Sequence, residues 1–395
     1  MGLPLSLLSL FSLLLSLVST SPLEARLMKD LLSSYSKEER PVLDNSQPVV
    51  VSLGVILQQI IDLNEKEEVL EVNMWLKYSW KDENMRWDPL EYGNISTIVQ
   101  PAGTTWQPDV LLYNSVDSAF DSTYKVNQIS FSDGTQEWMP PGIFRISCKL
   151  DIYWFPFDTQ KCAFKFGSWT FDARKLNLTT GQFDMSEFMP NGEWIIQETT
   201  AIRSENIYDC CPDDRFPDIK FNLTMQRRTL YYAFNLVMPC FLTMILVVLG
   251  FSLSAESGEK VGLQITVSLA ICIFLTIMNE MTPQTSESVP LLGVFFQSCM
   301  VISVLATSFT VYIQSFHFRC HQNHYRMGFW SDGTARIVAS VGSAMKENFD
   351  NLIFQVAFEW RFAAIVVDRL GLISFSIIIL FTSAIIGFRA PYLFA

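Results

Sequence analysis

Two kinds of hydrophobic pattern divide the chain. Ahead of Arg228 the apolar residues tend to alternate: Met74, Leu76, Tyr78 and Trp80 take every second place, with Trp75, Lys77 and Ser79 between them. A period of two buries one set and turns the other outward, so this segment predicts a strand with Trp75 on its polar side. Turn-forming residues recur at AspProLeu (88–90), ProAlaGly (101–103), SerAspGly (132–134), ProProGly (140–142) and ProAsnGly (190–192). Such spacing predicts an all-β, immunoglobulin-like sandwich of about 200 residues. Leu23, Leu27 and Leu31, four apart, predict one short amphipathic helix before it.

Beyond Arg228 alternation gives way to unbroken apolar runs. Leu230–Leu253, Val261–Met278, Val289–Ile313 and Leu370–Phe388 contain no charged residue, and each is 18 to 25 residues long. About 20 residues of helix cross ~30 Å of hydrocarbon, so these runs predict a four-helix transmembrane bundle. A shorter run, residues 5–18, is followed by the small residues Ser19, Thr20 and Ser21, as in a cleaved export signal. The expected organisation is a signal peptide over 1–20, an exported β-sandwich over 21–229 and three spans over 230–317. A short cytoplasmic loop follows over 318–369, then the fourth span and an outer C-terminus over 370–395.

Charge sharpens this division. The chain is 395 residues long, 49% hydrophobic and 17% charged, with a formal net charge of -12. Nearly all of that charge lies between Ser21 and Arg228, which hold 31 acids against 20 bases. An acidic exported half excludes a nucleic-acid binder, and the low charged fraction excludes an ordinary soluble enzyme. Export of the first half, followed by four spans, leaves both termini outside. Lys260, Arg319, Arg326, Arg336, Lys346, Arg361 and Arg369 then fall on the cytoplasmic side, and the outer loop 279–288 has no basic residue. All three histidines, His317, His321 and His324, lie near the cytoplasmic end of the third span. No exported Ser-His-Asp or Cys-His site can form, so no enzyme is expected. The same histidines and Cys320 lack the second half of a zinc site, so no metal or other cofactor is expected.

Of the eight cysteines only Cys148, Cys162, Cys210 and Cys211 are exported, and four cysteines permit three pairings. The favoured pairing joins the adjacent Cys210–Cys211 and leaves Cys148–Cys162 to close a 13-residue loop, a gain of roughly 3 kcal/mol in the chain-entropy model.

That loop, CKLDIYWFPFDTQKC, resembles the signature of the pentameric Cys-loop ligand-gated ion channels, down to its central Phe155, Pro156 and Asp158. NMWLKYSW (73–80), WQPDVLLYNS (106–115), PPGIF (140–144), FGSWTF (166–171), NGEW (191–194), YDCC (208–211), RRTLYY (227–232) and GEK (258–260) extend the resemblance over nearly the whole chain. It is most similar to the α-type subunits of nicotinic acetylcholine receptors, the homomeric kind especially. The resemblance implies a ring of five subunits, identical or mixed, in the plasma membrane, as at a postsynaptic site. It also implies a small amine agonist, permeant cations and surrounding lipid.

A cluster of aromatic rings attracts an ammonium group by ~0.5 to 2 kcal/mol per ring. The resemblance assigns Tyr113, Trp169, Phe171, Tyr208, Phe216 and the Cys210–Cys211 tip to the principal face of a ligand site. It assigns Trp75, Ile129, Glu137 and Met139 to the complementary face of the next subunit. Two features depart from the pattern: Phe171 and Phe216 stand where tyrosines are more usual, and one extra residue sits within ProAspAspArg (212–215). Acetylcholine is the first expected agonist. Choline, betaine or no small agonist at all, as in a silent accessory subunit, is the alternative.

In the second apolar run Gly262, Thr266, Leu269, Ile273, Thr276 and Glu280 recur at steps of four, three, four, three and four. They share one helical face. In five copies that face would form rings: acidic at Glu259 and Glu280, polar at Thr266, and apolar at Leu269 and Ile273, where a pore can shut by dewetting. Acidic rings favour cations, and AlaGluSerGlyGluLys (255–260) lacks the proline-alanine element of the family's anion channels. Gly262 departs from the small hydroxyl residue usual there. The resemblance also pairs Glu65 with Arg227, beside Phe155 and Pro156, to couple sandwich and pore. Pro239 is expected to kink the first span. A stripe of Val338, Val341, Met345, Phe349, Ile353 and Val356 predicts a helix leading into the fourth span. Asn94, Asn177 and Asn222 match the glycan acceptor pattern, with Asn222 the weakest of the three.

Overall fold

The computed structural model describes residues 22–120, 122–283, 288–318 and 347–389. The expected signal peptide, most of the cytoplasmic loop with Cys320, His321 and His324, and the last six residues lie outside them. The chain divides into two units: one runs to Leu150 and adds Gln160–Gln226, and the other comprises Asp151–Thr159 with the chain from Arg227 onward.

In the first unit helix α1 (Pro22–Leu32) buries Leu27 against Trp87 and Ile98. Eleven strands follow: β1 (Val49–Asn64), β2 (Val69–Lys81), β3 (Thr97–Gln100), β4 (Val110–Leu112), β5 (Gln128–Phe131), β6 (Thr135–Trp138), β7 (Pro141–Ser147), β8 (Thr159–Ser168), β9 (Leu176–Asp184), β10 (Trp194–Tyr208) and β11 (Cys211–Arg227). Seven form one sheet in the order β3-β5-β6-β2-β1-β9, with β7 also on β2; the other four form a second, β10-β11-β8-β4. The alternation along β2 has its expected outcome: Met74, Leu76, Tyr78 and Trp80 are buried and Trp75 and Lys77 are exposed. Cys148 and Cys162 form a disulfide with their Cα atoms 5.2 Å apart.

The second unit contains helices α2 (Leu230–Gly250), α3 (Lys260–Met281), α4 (Leu291–His317) and α5 (Glu347–Arg389). All four are long and apolar enough to cross a membrane, α5 over Trp360–Ile385. The fourth span is therefore the end of one 43-residue helix that already contains Phe349, Ile353 and Val356. Val338, Val341 and Met345 lie outside the described residues. Within α2, Ala233–Val237 is a π-turn in which the Met238 N–H bonds to the Ala233 carbonyl. It ends just before Pro239, which has no N–H to continue the regular ladder. Leu236, Cys240, Met244 and Val247 from α2 meet Val267, Ile271 and Met278 from α3 and Phe295, Phe296 and Ile302 from α4 in one apolar core.

Candidate ligand site and pore face

The principal-face residues come from the ends of the four-stranded sheet. Tyr113 follows β4, Trp169 follows β8, and Tyr208, Cys210, Cys211 and Phe216 surround the β10–β11 turn. The Tyr113 and Trp169 rings stand edge to face with centroids 6.2 Å apart, and Tyr208 and Phe216 do so at 5.6 Å. Trp169 is 64% exposed and Tyr208 40%, which leaves two large rings open to solvent. Phe171 is half-buried.

A bonded frame holds these rings. Asp109 accepts Ser168 Oγ at 2.6 Å, Thr170 N at 2.9 Å and the Thr170 hydroxyl. Its carbonyl accepts Trp169 N at 3.2 Å, and Phe171 N donates to Ser168 Oγ at 2.9 Å. The main chain on both sides of Trp169 is therefore fixed while its indole stays free. A Cβ on Gly167 would fall 2.5 Å from the Tyr113 hydroxyl oxygen, so only glycine lets that ring lie against β8. Lys165 Nζ lies 5.5 Å over the Tyr113 ring and 3.0 Å from Asp218, a buried carboxylate that Ser204 and Asn206 also approach. Burial above all, then Tyr208, Asp218 and Asp109, push the Tyr113 hydroxyl up to about 12, so it stays neutral at physiological pH.

The complementary-face residues share one side of the seven-stranded sheet. Ile129 is directly opposite Glu137, and Glu137 is opposite Ser79, which lies on the Trp75 side of β2. Trp75 and Ile129 are both exposed, and Met139 follows two residues after Glu137. The sulfurs of the vicinal cysteines Cys210 and Cys211 are 2.6 Å apart.

On α3 every residue of the expected stripe is exposed: Gly262, Thr266, Leu269, Ile273, Thr276 and Glu280, with Glu259 just before the helix. Lys260, Gln264, Val267, Ile271 and Met278 are buried on the side that faces the bundle. The hydroxyls of Thr266 and Thr276 donate to the carbonyls of Gly262 and Cys272 in their own helix, at 2.9 and 3.0 Å. On α2 the exposed residues from Met238 onward are Met238, Phe241, Leu242, Ile245, Leu246 and Leu249, all apolar.

Comparison with known proteins accounts for both regions. Residues 24–229 match the neurotransmitter-gated ion-channel ligand binding domain, and residues 236–333 match the transmembrane region of the same channels. The chain belongs to the neurotransmitter-gated ion-channel family. It is 51% identical to acetylcholine receptor subunit alpha-type acr-15 of Caenorhabditis elegans, over 98% of each chain. It is 57% identical to acr-16 of both Caenorhabditis briggsae and Caenorhabditis elegans, over 78% of this chain and 62% of those relatives. The chain is thus a multi-pass membrane subunit of a ligand-gated ion channel and not an enzyme.

In this channel subunit the tip of the Cys-loop groups with the helices. Phe155 is buried in the helical core, 5.2 Å from the Tyr232 ring, and Tyr153 accepts the Leu291 N–H at 2.9 Å. Arg227, at the end of β11, donates to Asp158 Oδ1 at 2.9 Å and Oδ2 at 3.3 Å, and its guanidinium lies 5.0 Å over Phe155. Both charged side chains are almost wholly buried. The sequence reading named Glu65 and not Asp158 as the partner of Arg227; the buried carboxylate of Asp158 bonds Arg227 within the helical unit. Asp109, Lys165 and Asp218 were also missed as parts of the site frame. Their signal was faint: Asp109 closes the TrpGlnProAsp turn, and Lys165 precedes Trp169 by four residues on an alternating strand. Of the glycan acceptors Asn94 is exposed, and Asn177 accepts from Arg203 at 3.0 Å. The amide nitrogen of Asn222 is engaged with Thr200 at 3.1 Å.

Proposed function

We propose that this chain forms a pentameric cation channel of the plasma membrane, opened by a small amine that binds between adjacent subunits. The observation that supports it best is the division of α3. All six residues of the channel stripe turn away from the helix's own bundle, and Val267, Ile271 and Met278 turn towards it.

An ammonium group entering from outside would meet Trp169, Tyr113 and Tyr208 on one subunit and Trp75, Ile129, Glu137 and Met139 on the next. Each ring face contributes ~0.5 to 2 kcal/mol without a partnering carboxylate. Closure of the Cys210–Cys211 tip, bonded under the oxidising conditions outside the cell, would cover the amine. β11 runs without a break from that tip to Arg227, which carries the displacement to Asp158, Phe155 and the helices. Spreading of the Leu269 and Ile273 rings would then wet the pore, while Glu259 and Glu280 concentrate cations at its two mouths. Asn94 and Asn177 are the sites we assign to glycans.

Acetylcholine is the first agonist to test, because the relatives are named as acetylcholine receptor subunits. Phe171 and Phe216 favour a second reading, in which an amine such as choline or betaine, or none, opens the channel, because neither ring offers a hydroxyl to an ester. Voltage clamp of cells expressing this chain alone separates the two. Inward cation current on acetylcholine supports the first. Current on choline or betaine only supports the second, and surface subunits that pass no current with any amine would overturn the conducting reading.

A further inference from the structure

The buried side of α3 carries a polar stripe that the channel reading leaves unused. Lys260, Gln264 and Ser268 follow at steps of four, on a line turned about 160° from Thr266. Each ties α3 to a different neighbour. Lys260 Nζ pairs with Asp368 on α5 and donates to the Leu253 carbonyl at 3.1 Å. Gln264 Nε2 donates to the Val247 carbonyl of α2 at 2.9 Å, and Ser268 Oγ lies 2.6 Å from Ser303 Oγ on α4. Past Ser268 the buried residues Ile271 and Met278 are apolar.

Gln264 is the member that packing alone does not explain. Its side chain is completely buried and its Oε1 has no hydrogen-bond partner among the described residues, an unfavourable state that a leucine would avoid. Space for the amide exists because residue 250 on α2 is glycine: a Cβ there would lie 2.2 Å from Gln264 Nε2. Notch and amide form one fitted joint, level with the Gly262–Thr266 turns of the exposed stripe.

We propose that Gln264, seated in the Gly250 notch, is a positioning residue for the pore, fixing the inner half of α3 against α2. The inference rests on the channel reading above. The joint biases the closed-to-open equilibrium without touching the agonist.

The test expresses the full chain and compares wild type with Q264M, G250A and the double variant, using acetylcholine, or choline if acetylcholine is silent. Methionine fills the same volume without the N–H. An interhelical hydrogen bond of this kind sets an expected shift of about threefold in half-maximal agonist concentration for Q264M. G250A should give a similar shift, and the double variant should show less than the sum, since both changes break one joint. Binding of a competitive antagonist to surface receptors should be unchanged. Q264M and G250A that both match wild type in half-maximal concentration and single-channel open time would overturn the inference. Absence of any wild-type current would instead end the channel reading, and this inference with it.

Discussion

The proposed ligand face and the proposed pore face both expose apolar side chains, yet they are held in opposite ways. Trp169 is exposed on a main chain bonded to Asp109 and Ser168 on either side, and Tyr113 sits where Gly167, Lys165 and Asp218 define its place. On α3 the exposed threonines Thr266 and Thr276 bond to carbonyls of their own helix, and Leu269 and Ile273 are exposed. The difference follows from the chemistry required. A cation–π site depends on ring angle and distance, so it needs a rigid surround. A pore lining needs only the right character at the right period, and helical geometry supplies the period. Substitutions at the ligand face should act through geometry; those at the pore face should act through polarity.

Trp169→Ala should have the largest effect on the ligand side, removing the most exposed ring and raising the half-maximal agonist concentration by about 30-fold or more. A response within a few-fold of wild type would remove Trp169 from the site. Leu269→Thr should come next: a polar side chain wets the constriction, giving standing current or about tenfold greater sensitivity. Unaltered closed-state leak and unaltered sensitivity would contradict the pore assignment.

Asp109→Asn separates geometry from charge. The amide keeps the size but has one accepting oxygen where the carboxylate has two, so it cannot accept from both Ser168 and Thr170, and agonist potency should fall about tenfold with Trp169 still in place. Thr266→Val should change half-maximal agonist concentration by less than about twofold, because its hydroxyl is already spent on the Gly262 carbonyl. The smallest expected effect is a matter of pH. The Tyr113 hydroxyl is raised to about 12 in the folded chain. Between the ordinary tyrosine value of ~10 and that one, the folded state keeps a proton that the unfolded state has lost, so stability should fall as pH rises through this window. Tyr113→Phe should flatten that dependence, as read by thermal unfolding of the solubilised receptor at pH 9 and pH 11.

Much of this was legible in the sequence, for reasons that differ between the two faces. The α3 stripe was readable residue by residue, because one helix carries it and the step of three and four is its own ruler. The β2 alternation placed Trp75 outward on equally local grounds. The frame behind Trp169 was not readable, because Asp109 just before β4, Lys165 on β8 and Asp218 on β11 meet only after the sheet forms. The same holds for Arg227: its buried partner Asp158 lies 69 residues away, inside a loop whose grouping with the helices no local period records. Continuity of α5 from Glu347 was half visible, through Phe349, Ile353 and Val356, but charges at Asp368 and Arg369 broke the apolar run.

Which side of α3 meets water decides whether this helix lines a pore. Cysteines introduced one at a time from Gly262 to Glu280 in the full chain, then exposed to a charged thiol reagent during agonist application, answer this directly. Positions 262, 266, 269, 273, 276 and 280 should react and alter the current, while 264, 267, 271 and 278 should not. Reaction at the second group with silence at the first would contradict it.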